Sequence, residues 1–131
     1  MYEQETAGIV VRAEPTFLAA ESTPQTSRYV WSYTIEIENR GPRIVRLMTR
    51  RWEITDAHGA IQHVQGEGVV GQQPVIEPGE AFRYTSACPL VTSSGWMVGT
   101  YTLVEIDTGD VIEVAIPAFA LDSPDSSKLA N

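Results

Sequence analysis

Residues Gly66-Glu67-Gly68-Val69-Val70-Gly71 fit G-x-G-x-x-G, a spacing that lets some loops approach a dinucleotide pyrophosphate. That chemistry needs a helix straight after the glycines, whose N-terminus holds the phosphates, and an acid about 20 residues on for the ribose. Here Gly71 runs into Gln72, Gln73 and Pro74, and Pro78 follows, so the helix is missing and the dinucleotide reading fails. Two narrower readings stay open. In the first, successive N–H groups of the loop form an anion-binding nest without a helix. Arg40, Arg43, Arg46, Arg50 and Arg51, crowded into twelve positions, then supply counter-charge, although Glu67 opposes it. In the second, Gly66, Gly68 and Gly71 only permit bends or close backbone approach in a β protein, and the arginines pair with acids across a sheet.

Other residue types capable of chemistry form no pattern. His58 and His63, with Asp56 and Glu67 nearby, sit in or beside a hairpin tip and lack the further N, S or O ligands that a zinc or hard-cation site needs. Ser93 and Ser94 have no nucleophile elbow, and neither histidine has an evident orienting partner. Cys88 precedes Pro89 and reads as a small buried thiol. Asp107 and Asp110 flank Gly109 as turn residues. No catalytic residue, metal ligand or cofactor is assigned. Trp96 and Met97, in or beside a loop, are the types that dominate protein interfaces, with a structural capping role as the alternative.

The elements that must position these residues are strands. In "RYVWSYTIEIEN", Tyr29, Trp31, Tyr33, Ile35 and Ile37 alternate with Arg28, Ser32, Thr34, Glu36 and Glu38, with Val30 the exception. A period of two with aromatic and β-branched residues predicts a strand buried on one face. "IVRLMTRRWEIT" predicts a second strand whose phase slips: Val45 and Leu47 are odd, Trp52 and Ile54 even. That slip predicts a β-bulge near Thr49 to Arg51. "DAHG" predicts a hairpin tip leading into "AIQHVQG", and "EPGE" a turn. "TAGIVVRAEP", "AFRYTSA", "GTYTLVEID" and "VIEVAIPAF" predict further strands, with "CPLVTSSGW" a connection. Seven to eight short strands and no helical period predict an all-β, immunoglobulin- or fibronectin type III-like antiparallel β-sandwich. Gly99 and Tyr101, opening a late strand, suit a tyrosine corner, whose hydroxyl bonds to upstream backbone.

A chain of 131 residues suits one domain, here 1–124, with a polar, loose tail over 125–131. The formal net charge of −8 disfavours nucleic acid and anionic membranes as partners. No apolar run approaches the ~18 residues of a membrane span, so no membrane insertion is expected. The absence of a signal-like N-terminus and the single cysteine favour the cytoplasm.

Together "YVWSYTIEIEN", "VRLMTRRWEITDAHG", "VQGEGVVGQQPVIEPGEAFRYTSACPL", "GWMVGTYTLVEIDTG" and "VAIPAFALDSP" resemble the bacterial ApaG family from about Tyr2 to Pro124. Two departures are Ala87, where the family usually has glycine, and Arg51, where histidine is common. The resemblance implies a fibronectin type III-like sandwich and an indirect link to cobalt tolerance and magnesium efflux. It also implies a module that binds other proteins, and it brings no established catalytic residues. The leading expectation is therefore a non-enzymatic binding module for an unknown protein partner, using Gly66 to Gly71, Arg50, Arg51 and Trp96. The alternative is a sensor for pyrophosphate or nucleotide anions, as Mg complexes or free, at the glycine loop. A homodimer through an exposed edge strand stays open.

Overall fold

β3 (Tyr29–Asn39) is the spine of the molecule, and its alternating side chains decide where the core lies. In this computed structural model, which describes residues 2–125, Trp31, Tyr33, Ile35 and Ile37 are buried on one face of β3. The exception, Val30, is buried too. The segment after β2 (Ile9–Phe17) folds back over it, Leu18 N–H bonding Val30 O at 2.8 Å and Val30 N–H bonding Ser22 Oγ at 3.0 Å.

Two antiparallel sheets face each other. The first has the order β1 (Tyr2–Thr6), β2, β3, β7 (Ala81–Leu90). The second has the order β5 (Ile61–Glu67), β4 (Val45–Asp56), β8 (Gly95–Glu105), β9 (Val111–Leu121), and the two-residue β6 (Val75–Ile76) pairs with β4. The expected sandwich is present, with nine strands among the described residues rather than seven or eight. The extra ones are β1, joined to β2 by a turn at Ala7-Gly8, and β6. Strand periodicity over so few residues is too short to read in sequence.

The core joins the β3 row to Leu47, Trp52, Ile54, Tyr101, Leu103, Ile116 and Phe119. Tyr33, Trp52 and Phe119 form its aromatic centre, with ring centroids 5.3 to 6.0 Å apart. Pairs at such tilted or edge-to-face angles add about 0.5–1.5 kcal/mol each beyond burial. The phase slip in β4 is real but lies earlier than expected: the β4–β8 register shifts between Leu47 and Thr49, so the extra residue is Met48. Val45 and Leu47 point inward before it, and Arg50, Trp52 and Ile54 after it. β8 also starts earlier than expected. Trp96 and Met97 lie within it, not in a loop, Met97 fully buried and Trp96 45% exposed on the opposite face. The polar tail expected over 125–131 lies, from Ser126 onward, outside the described residues.

The two long sides of the sandwich differ. Along one, β1 seals against β9: the Tyr2 ring lies 6.0 Å from that of Phe119, and Ala115 N–H donates to Thr6 Oγ1 at 3.2 Å. Along the other, β5 and β7 are the sheet edges.

Candidate functional site

Beyond Glu67 the glycine-rich segment leaves β5 and folds into a two-residue hairpin. Val69 N–H donates to Gln72 O at 2.8 Å and Gln72 N–H returns to Val69 O at 2.9 Å. The two tip residues, Val70 and Gly71, have φ of +44° and +79°. Primed two-residue turns require positive φ at both tip positions. For a β-branched valine that is a conformational outlier, yet Val70 also stands 52% exposed. Val69 is fully buried and anchors the turn. Gly68 permits a close approach: a Cβ there would lie 2.2 Å from Gln72 O, and its N–H bonds Met48 O at 2.8 Å. The N–H groups of Gly68, Val69 and Gln72 are thus all used within the protein.

Arg50 joins this loop to the core. The bulge at Met48 turns it to the inner face, and across the β4–β5 ladder it meets Gly66. Its guanidinium occupies the space a side chain at 66 would need, 2.7–2.8 Å from where a Cβ would stand. Nη1 donates to Glu67 O at 3.1 Å and to Gly68 O at 2.9 Å. Arg46 Nε bonds Gln73 O at 3.0 Å, and Gln73 Nε2 bonds Met48 O at 3.0 Å. Arginines expected to counter an anion or pair with acids therefore split. Arg40 reaches Glu38 at 3.2 Å and Arg43 reaches Glu105 at 3.6 Å, while Arg46 and Arg50 hold backbone carbonyls of the loop.

Behind Arg50 the interior is hydroxyl-rich. The Tyr84 and Tyr101 hydroxyls bond each other directly, which replaces the tyrosine corner expected for Tyr101. Burial pushes both phenols well up, and pushes Tyr33 up more modestly, with the Arg50 charge a small opposing pull. Burial also pushes the Cys88 thiol up to about 11, so it stays protonated and a poor nucleophile near neutrality.

Arg51 and Trp96 lie elsewhere. Arg51 follows Arg50 in β4 and points the other way, onto the outer face of the second sheet, although both border a depression of about 300 Å³ that Gly66 and Glu67 also line. One row across that face is Ile61, Thr55, Trp96 and Ala120; the next holds His63, Glu53 and Val98. A third runs Gln65, Arg51, Thr100 and Ala115. A shallow depression of about 200 Å³ lies between Arg51, Glu53, His63 and Val98. Trp96 sits level with Thr55, whereas Glu67 sits level with Thr49. Six residues of strand, roughly 20 Å, thus separate Trp96 from the glycine loop. Ile61 and Val98 are not singled out in sequence, His63 is weighed there only as a metal ligand, and only the alternation of Trp96 and Val98 with Met97 and Gly99 signals their face.

Of the remaining candidates, Asp56 has local partners, whereas the buried Ser93 Oγ has none among the described residues. Asp56 Oδ1 accepts the His58 and Ala60 N–H groups at 2.8 and 3.0 Å, which builds the hairpin tip. Ser93 is buried, and its carbonyl accepts the Ser123 hydroxyl at 2.6 Å. Among the described residues no three His, Cys, Asp or Glu side chains gather as a metal site would require. None of the helices there is long and apolar enough to cross a membrane.

The comparisons with known proteins agree with this architecture. The ApaG domain family model matches residues 19–105. Protein ApaG of Methylorubrum extorquens (strain PA1) is 55% identical over 124 residues, covering 95% of each chain. Protein ApaG of Caulobacter vibrioides is 52% identical over 130 residues, covering 99% of this chain and 92% of that one. Among solved structures, the ApaA protein of Bordetella pertussis superposes with a TM-score of 0.85 at 43% identity, over 88% of this chain and 94% of that one.

Proposed function

For a chain that belongs to the ApaG family, we propose the role of a non-enzymatic binding module that docks a protein partner across the outer face of its second sheet. One observation carries this reading: Arg51 and Trp96 stand out from one face, together with Ile61 at 54% exposure. The other sheet's outer face is charged and self-satisfied: Arg12 reaches Glu3 and Glu36 at 2.7 Å and Glu38 at 2.9 Å. Aromatic and arginine side chains are the usual anchors of a protein interface, and Glu53 is the acid that lies between them here. The exposed, strained Val70 tip stands about 20 Å away, a span that suits a macromolecule. Any link to cobalt tolerance or magnesium efflux is then indirect, through that partner.

Site-directed photo-crosslinking tests the reading. A crosslinker at position 96 is expected to give one specific protein adduct in cells, competed away by unlabelled wild-type protein. The same crosslinker at Thr34, on the other sheet, should give none. Equal adducts from both positions, or none from 96, would end the proposal. With the partner in hand, Trp96→Ala should weaken binding by at least ~30-fold, as a hot spot does.

The phosphate reading of the glycine loop draws less support, because Gly68, Val69 and Gln72 N–H and Arg50 Nη1 already have partners. Titration with millimolar pyrophosphate is expected to leave the amide resonances of Gly66 to Gly71 in place.

A further inference from the structure

The open side of the sandwich carries a feature that the outer face does not explain. Between the β5 and β7 edges lies a cavity of about 240 Å³, lined among others by Tyr33, Arg50, Trp52, Val64, Ser86 and Cys88. Ile54 and Met97 add apolar wall, Gln62 and Ser86 add polar wall, and no carboxylate among the described residues lines it. Among the described residues its one charged group is Arg50. Nη1 of that side chain is committed to the Glu67 and Gly68 carbonyls, whereas Nε and Nη2 have no partner among the described residues. A second donor is also left over. Trp52 Nε1 is buried and bonds nothing among the described residues. Its ring turns the Cε3 edge toward Gly99 of β8.

These groups select a ligand class. A half-committed guanidinium offers a planar two-donor edge, which matches a carboxylate. Phosphate would bring more charge and more oxygens than one arginine edge satisfies. An apolar body attached to the carboxylate would instead bury favourably against Trp52, Val64 and Met97. We propose that the cleft between β5 and β7 is a binding site for a small organic carboxylate. Arg50 takes the carboxylate, and Trp52 and Val64 flank the apolar part. The site lies between the sheets and is independent of the proposed docking face.

Benzoate is the probe, and indole resonances are the readout. The chain has three tryptophans, so its ¹H–¹⁵N spectrum holds three indole signals, with Trp52 assigned through Trp52→Phe. Benzoate should move the Trp52 signal to saturation with a Kd on the order of 1 mM or tighter. The signals of Trp31, already bonded to Asp122 O at 2.7 Å, and of Trp96 should stay. Benzamide, which lacks the charge, should bind at least ~10-fold more weakly, and so should Arg50→Gln with benzoate. Because Arg50 also holds the glycine loop, Val64→Phe is the second variant. It fills the cleft, leaves the clamp alone and should abolish the benzoate shift. Three results would each overturn the site: a Trp52 signal unmoved at ~20 mM benzoate, benzamide or inorganic phosphate binding as well as benzoate, or a full shift in Val64→Phe.

Discussion

At the scale of single residues, the glycine-rich segment separates positions that look alike in sequence. A Cβ at Gly68 would strike the Gln72 carbonyl oxygen, a backbone atom that cannot swing aside. A Cβ at Gly71 would meet open space, although φ is +79°. Gly68→Ala is therefore expected to cost ~2 kcal/mol or more, and Gly71→Ala about 1 kcal/mol, the cost of a left-handed non-glycine residue. Urea unfolding of the two variants checks the order; equal losses would contradict this account of the hairpin. Titration of the buried acids belongs to the same scale. The Cys88 thiol and the Tyr84 and Tyr101 phenols are all raised by burial, so the native state holds their protons more tightly than the unfolded chain does. Their stabilisation is complete below the unfolded values, about 8.5 for Cys and about 10 for Tyr. It is lost as pH climbs through the folded ones, which for Cys88 is about 11. The denaturation midpoint should fall from about pH 9 upward, and Cys88→Ala should flatten the early part of that fall. A midpoint constant to pH 11 would refute it.

At the scale of elements, β4 does the positioning, and Met48 is its pivot. With the bulge, Val45 and Leu47 on one side and Trp52 and Ile54 on the other all face the core despite opposite parity. Deleting Met48 would restore a plain alternation and turn one of these pairs to solvent. Two large apolar side chains lost from the core amount to ~3–6 kcal/mol, comparable to the whole stability of a small domain. The deletion is expected to unfold the protein by circular dichroism, while Met48→Ala should remain folded. A folded deletion variant would show that the slip is not what orients Arg50 and Trp52. The same pivot explains the fate of the arginine cluster: by alternation, Arg50 goes inside to the loop carbonyls and Arg51 outside to the sheet surface.

At the scale of the whole molecule, the two sides of the sandwich divide the labour. β1 closes one side through Tyr2 on Phe119 and the Thr6 hydroxyl on Ala115. Deletion of residues 1–6 would uncover Phe119 and the edges of β2 and β9. The truncated protein is expected to unfold at lower temperature and to self-associate through the new edges. Light scattering behind a sizing column reads this directly, and a stable monomer would refute it. The other side, between β5 and β7, stays open over a cavity that carries Arg50 on its wall.

The sequence alone determined the fold class and the family. Alternation in β3 and the late strands, turn residues between them and the absence of a helical period leave few options other than two antiparallel sheets. Those signals are local, because a strand's period is set by its own backbone. The parity slip in β4 was legible for the same reason, though its position by Met48 was not, since either neighbour keeps the pattern. What only tertiary structure decided is who meets whom. Gly66 reads as one glycine of a phosphate motif, yet its missing side chain makes room for Arg50, sixteen residues away in sequence and directly opposite in the sheet. Arg50 and Arg51 read as one patch, and the pleat sends them to opposite faces. Trp96 read as a loop residue because serines and a glycine precede it, and only pairing with Thr55 and Ala120 makes it part of a surface row. The cleft between β5 and β7 has no sequence signature, because its walls come from five strands and its emptiness depends on how the two sheets pack.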